Sequence, residues 1–142
     1  MLQLLGGREG FPNPGYLESA LSAAPQIWHY HPDCDLYDLA AAYLWHIAKA
    51  HAFLDGNKRT GYATALIFLS ANGVLLDQPE DRTALADLAI QAVEGSVSRE
   101  QVGAFIRDLA RQQRRRRRRE EDRQGVVPPR IRGRGAPWQT RR

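Results

Sequence analysis

The chain has 142 residues, 43% of them hydrophobic, which suits one ordinary domain with a single core. Its one cysteine, Cys34, excludes an intrachain disulfide, and no apolar run approaches the roughly 18 residues that span a bilayer. The net charge of +4 conceals a segregation: residues 1–110 hold 7 Lys and Arg against 13 Asp and Glu, whereas residues 111–142 hold 13 Arg against 3 acids. The start, Met1-Leu2-Gln3-Leu4-Leu5-Gly6-Gly7, has neither the basic residues nor the long apolar region of a signal peptide. A cytoplasmic protein is the expectation.

In chain order, Leu2, Leu4 and Leu5 suit the end of a helix stopped by Gly6-Gly7. Phe11-Pro12-Asn13-Pro14-Gly15 predicts a turn. Residues 16–24 predict a short helix with Leu17, Ala20 and Leu21 on one face, ended by Pro25. Residues 27–34 read as irregular. Their His29, His31 and Cys34 match no common zinc spacing, so the expectation is a loop whose Trp28 and Tyr30 pack on the domain.

Asp35 is placed to cap a helix over 36–50, with Asp38 in its first turn. Leu36, Leu39, Ala40, Tyr43, Leu44, Ile47 and Ala48 recur at the helical period, and Ala40-Ala41-Ala42 permits close approach of a neighbour. His46 falls beside this stripe, at a surface or boundary position. Residues 62–71 predict a helix apolar on most sides, which belongs in the middle of a domain, and Asn72-Gly73 stops it. Pro79-Glu80-Asp81 opens the next helix, with Leu85, Leu88, Ala89, Ala92 and Val93 as its stripe and Gly95 at its end. Ser98 with Gln101 is a capping box for a last core helix carrying Val102, Phe105, Ile106 and Leu109. No alternating strand pattern occurs. The expected fold is all-α, a compact domain of about five helices within residues 1–113.

Residues 114–142 differ in character. Six consecutive arginines, Arg114 to Arg119, precede Glu120-Glu121-Asp122 and a stretch rich in Pro, Gly and Arg. Such a segment cannot bury enough surface to offset its ordering entropy and is expected to be disordered, although arginine is a good helix former and the helix from Ser98 can run on into it. Electrostatic contact with nucleic acid is one use of such a tail.

Between the helices of 36–50 and 62–71 lies His51-Ala52-Phe53-Leu54-Asp55-Gly56-Asn57-Lys58-Arg59-Thr60. A reversal between two helices needs neither an imidazole nor two cations. Gly56 lets the backbone turn and approach a ligand. Asn57, Lys58 and Arg59 lie at the start of the following helix, where amides and dipole favour phosphate, and the two cations add to it. Asp55, the one carboxylate of the loop, with phosphates and waters makes an ordinary Mg²⁺ set. His51 has a pKa suited to taking a proton from a hydroxyl near neutrality.

His51 to Arg59 resembles the His-x-Phe-x-Asp/Glu-Gly/Ala-Asn-x-Arg signature of the Fic/Doc superfamily, and Lys58 before the arginine resembles its death-on-curing (Doc) toxin branch. Gly15-Tyr16-Leu17-Glu18-Ser19-Ala20-Leu21 is similar to a Gly-Leu-Leu-Glu-Ser-Ala-Leu stretch of that branch. Tyr37 and Asn72-Gly73 also fall where the branch has similar residues. The resemblance covers roughly residues 8–110. It implies a toxin of a toxin–antitoxin system that moves the γ-phosphate of ATP to a hydroxyl, a threonine of elongation factor Tu, and is blocked by a cognate antitoxin. His51 is then the base, Lys58 a catalytic cation, Asp55 the Mg²⁺ ligand, and Gly56, Asn57, Lys58 and Arg59 the phosphate cradle. Fic proteins with Gly in place of Lys58, and a second Arg in place of Tyr62, instead transfer AMP. That is the alternative activity, and a truncated remnant acting through its basic tail is a further one. The branch carries a longer N-terminal helix than residues 1–5 supply, so that helix is expected to be truncated. Pro12-Asn13 stands where Arg-Asp is usual, and the arginine tail lies outside the pattern.

Overall fold

The computed structural model describes residues 14–51 and 56–125. The regular structure of the described residues is helical throughout: α1 (Pro14–Tyr30), α2 (Leu36–Lys49), α3 (Asn57–Ala71), α4 (Pro79–Glu94) and α5 (Arg99–Gln124). The all-α expectation holds.

Helix α2 is the centre. It packs against all four other helices, and Ala40, Ala41, Ala42, Leu44, Ile47 and Ala48 are all shielded from solvent. The sequence reading assigned the central place to the helix of 62–71. That helix, α3, leaves Ile67 62% exposed and buries only Thr60, Gly61, Ala65 and Leu69. Three consecutive small alanines let neighbours close on α2 from several sides, whereas α3 packs on α2 and α4 and leaves its Ile67 face uncovered by any described helix.

Capping follows the sequence closely. Asp35 accepts from the Asp38 amide at 2.9 Å, and the Asp38 carboxylate accepts from the Asp35 amide at 2.9 Å. Ser98 and Gln101 make the same reciprocal pair at the start of α5. At the end of α3 the Gly73 and Val74 amides donate to the Ser70 and Leu69 carbonyls, with Gly73 at φ +84°, the arrangement that satisfies a helix's last carbonyls.

Three expectations are corrected. Pro25 does not end α1, which runs on to Tyr30 with Pro25 inside it. Leu21, whose carbonyl loses its amide partner there, is on an exposed stretch of the helix, where water substitutes for the lost bond. Within the segment read as a loop, Trp28 packs as expected, but Tyr30 is 73% exposed. The stripes of α4 and α5 are also narrower than their periodicity suggests, since Val93 and Phe105 are exposed.

The boundary expected between residues 113 and 114 falls inside α5, which continues through the whole arginine run to a Gly125 cap at φ +68°. The expectation of disorder is therefore overturned for residues 114–124, and the helical alternative holds there. Arginine's high helix propensity and an already nucleated helix explain it. The expected turn at 11–15 and helix end at 2–5 lie largely outside the described residues, as do residues 126–142.

Long-range polar contacts fix α5 to the core. Arg107 reaches the carboxylates of Asp35 at 2.8 Å and Asp38 at 3.2 Å, locking α5 to the capped start of α2. Six residues further on, Gln113 donates to the fully buried Asp81 carboxylate at 2.7 Å, which also accepts from the Gln78 amide at 3.2 Å and so caps α4.

Candidate active site

Helix α2 ends at Lys49, and its C-cap Ala50 donates its amide to the Ile47 carbonyl at 3.2 Å. The next residue, His51, is exposed and has φ +52°. For a non-glycine residue the left-handed region is unfavourable, so the chain spends conformational energy to turn at this imidazole. Gly56 then sits at φ +81° as the N-cap of α3, where a side chain would be strained.

Helix α3 opens in a way that local rules do not favour. Its first turn has no acidic residue, and the N-cap, Gly56, has no side chain with which to cap it. It carries instead Lys58 and Arg59, both exposed, at the positive end of the helix dipole. Each cation so placed opposes the dipole by about 0.3–1 kcal/mol. Asn57 is half-buried beside them. An anion at this terminus reverses the sign of that interaction, and phosphate is the anion that helix amides, a lysine and a forked guanidinium together accommodate.

The terminus is held in place by backbone contact. A Cβ on Gly61 would stand 2.8 Å from the Leu44 carbonyl oxygen and 3.1 Å from the Ala48 nitrogen, so α3 lies directly on α2 one turn after the cations. Thr60 is 4% exposed at the same contact, and its hydroxyl has no hydrogen-bond partner among the described residues. Tyr62 is half-buried and packs against the core. Position 62 thus directs a ring inward.

The structure brings His51, Gly56, Asn57, Lys58 and Arg59 to adjoining ends of two packed helices. Asp55, expected to hold Mg²⁺, lies outside the described residues.

Sequence reasoning missed a groove of about 430 Å³ that runs to His51 between α1 and the last turns of α2. Tyr16 and Ser19 line one side, and Trp45, His46 and Lys49 the other. The spacing of Trp45 and Lys49, four apart and two residues short of the imidazole, is the signal that places them on one helix face. The Lys49 ammonium lies 4.5 Å from the Trp45 ring centroid and donates to the Ala92 carbonyl at 3.1 Å. His46 accepts from the Arg99 guanidinium at 3.0 Å. Its pKa is lowered below the ordinary 6.5, first by burial and then by the Arg99 charge, so burial and Arg99 both favour the neutral ring. The boundary position read for His46 is correct; its partner, 53 residues away, is not visible in local sequence.

The model of the Fic/DOC family matches residues 2–69. The protein kinase doc of Escherichia phage P1 is 38% identical over 105 residues, 73% of this chain and 80% of that protein. The toxin Doc of Mycolicibacterium smegmatis is 36% identical over 107 residues, 74% of this chain and 82% of that one. Relatives this similar over about four fifths of their own length, together with the family match, lead to one conclusion: the chain belongs to the Fic/DOC family.

Proposed function

We propose that this protein is a Doc-type toxin that transfers the γ-phosphate of ATP to a protein hydroxyl, with a threonine of elongation factor Tu as the target and a cognate antitoxin as its inhibitor. The observation that carries the reading is Lys58. It is exposed on the first turn of α3, directly after Asn57, in a chain that is 38% identical to a protein named a kinase.

In this reading the α3 terminus binds the phosphates. Backbone amides from Gly56 onward, the Asn57 carboxamide and the Arg59 fork hold them in place. Lys58 sits where charge develops on the transferred group. His51 takes the proton from the target hydroxyl as the oxygen attacks phosphorus. Asp55 is the carboxylate for Mg²⁺, and a lone carboxylate beside phosphate-binding cations fits an ion that keeps much of its water. Bound there, Mg²⁺ would neutralise phosphate charge. The groove of Trp45, His46 and Lys49 leads to His51 and suits the approach of the target segment.

The test is transfer from labelled ATP to elongation factor Tu. Label arriving from the γ-position supports the reading. Label arriving from the α-position overturns it in favour of AMP transfer, and a Lys58→Ala protein as active as the parent also overturns it.

A further inference from the structure

The arginine run plays no part in phosphate transfer, yet the fold displays it in a defined way. The face of α5 that packs on the core runs through Val102, Ile106, Ala110 and Gln113. Arg117 continues that face: its guanidinium donates to the Leu75 carbonyl at 3.3 Å and to the Asp77 carboxylate at 3.0 Å. This tether lays the last turns of α5 along the edge of the domain. Arg114, Arg115, Arg116, Arg118 and Arg119 are exposed, and among the described residues none of these five is in an ion pair with a carboxylate.

A helix rises about 1.5 Å per residue, so the run sets its arginines along roughly 9 Å of axis, with Arg117 paired to Asp77 and Glu120, Glu121 and Asp122 following on the same helix. Duplex nucleic acid presents one negative charge per about 1.7 Å. The five arginines outside the Arg117 tether are offered to that charge on a segment already ordered before contact. Ordering six arginines on binding would otherwise oppose association. A groove of about 350 Å³ beside the arm is lined by Arg114 and Arg118, by the tethered Arg117 and by the Glu121 carboxylate, so the phosphate contacts fall to the arginines on the outer side of the helix. The remainder of the domain is acidic, with 13 Asp and Glu against 7 Lys and Arg in residues 1–110, so a polyanion is directed to the arm and away from the candidate active site.

We propose that the helical arginine arm of α5 binds the phosphate backbone of duplex nucleic acid without reading its sequence. The proposal is independent of the phosphotransfer reading. DNA and RNA offer the same phosphate chemistry, and the experiment separates them.

Binding of the full chain to two 20-base-pair duplexes of unrelated sequence, each as DNA and as RNA, is measured by fluorescence anisotropy between 50 and 200 mM salt. The expected slope of log affinity against log salt is about −3 to −5, the value for four to five phosphates, with no preference between sequences. A preference for DNA or for RNA identifies the natural source. The variant R114Q/R115Q/R118Q/R119Q keeps the Arg117 tether and good helix formers, so its helicity by circular dichroism should match the parent. Its slope should fall in magnitude by about 3 or more. The variant with lysine at the same four positions should retain the slope. The proposal is overturned if the glutamine variant binds with an unchanged slope. It is also overturned if polyglutamate of equal charge competes as well as the duplex, which would indicate an acidic protein as partner.

Discussion

Gly61 touches the backbone of Leu44: a methyl group there would stand 2.8 Å from the Leu44 carbonyl oxygen. Neither atom belongs to a flexible side chain, so relief requires one helix to move. Overpacking of this kind costs about 1–3 kcal/mol, more than the roughly 0.5–1 kcal/mol that alanine gains over glycine in a helix. Gly61→Ala should lower the chemical-denaturation midpoint. At temperatures where it is fully folded, phosphotransfer should also fall, because the shift displaces Lys58 relative to His51. A variant with parental stability would show that the helices accommodate the methyl group.

The second prediction concerns His51. The residue is exposed at φ +52°, so its side chain contributes little to the core and its backbone conformation is costly. His51→Ala should lose roughly 10²- to 10⁴-fold in phosphotransfer, the usual contribution of a general base, with little change in melting temperature. His51→Gly should lose as much activity but be about 1 kcal/mol more stable than His51→Ala, because glycine adopts the left-handed region without penalty. Equal activity of the alanine variant and the parent would remove His51 from the chemistry.

His46 supplies a pH dependence. Burial and the Arg99 charge lower its folded pKa below the ordinary 6.5. The unfolded chain therefore binds a proton more readily than the folded one as pH falls below 6.5. Stability from this residue is complete above that pH and is lost as pH drops from 6.5 towards the folded pKa. Urea midpoints at pH 7.5 and 5.5 should differ more for the parent than for His46→Gln. An identical difference in both proteins would show that another group sets the acid sensitivity.

Gln113 and Asp81 form a buried polar pair at 2.7 Å. Gln113→Ala leaves a fully buried carboxylate oxygen without its side-chain donor, which costs about 1–3 kcal/mol. The pair sits where α5 leaves the core, so amide exchange should accelerate in residues 114–124 beyond the rise seen in α2. Uniform acceleration would indicate that α5 is not separately anchored there.

Much of this fold is legible because much of it is local. Asp35, Ser98, Asn72-Gly73 and Gly95 terminate helices through contacts within a few residues, and each does so in the structure. The candidate site was legible for the same reason, being a run of unlike polar groups between two apolar helices. What failed was non-local. Periodicity reports that α2 and α3 are both apolar but not which one the others surround, and that depended on the volume of Ala40 to Ala42. The isolated Gly61 gives no hint that Leu44 lies against it. Charge composition suggested disorder for Arg114 to Arg119 because it takes no account of a helix already nucleated at Ser98 and tied down by Arg117 to Asp77. The partnership of Arg99 with His46 joins residues from opposite ends of the domain.

Helix α1 packs on α2, through Ala20 and Ala24, which are nearly fully buried, and it forms one wall of the groove leading to His51. Alanines anchor weakly, since each buries little more than a methyl group. Ile27 and Trp28 of α1 add to this contact by packing against Leu39 and Ala42 of α2, so the larger side chains that anchor α1 lie at its C-terminal end. Cys34 is half-buried just beyond that end and 3.9 Å from the Ile27 carbonyl, so its rate of thiol labelling reports any release of α1 from α2. A ligand that bridges α1 and α2 across the groove would slow the labelling, giving the chain a built-in occupancy gauge that needs no catalytic turnover.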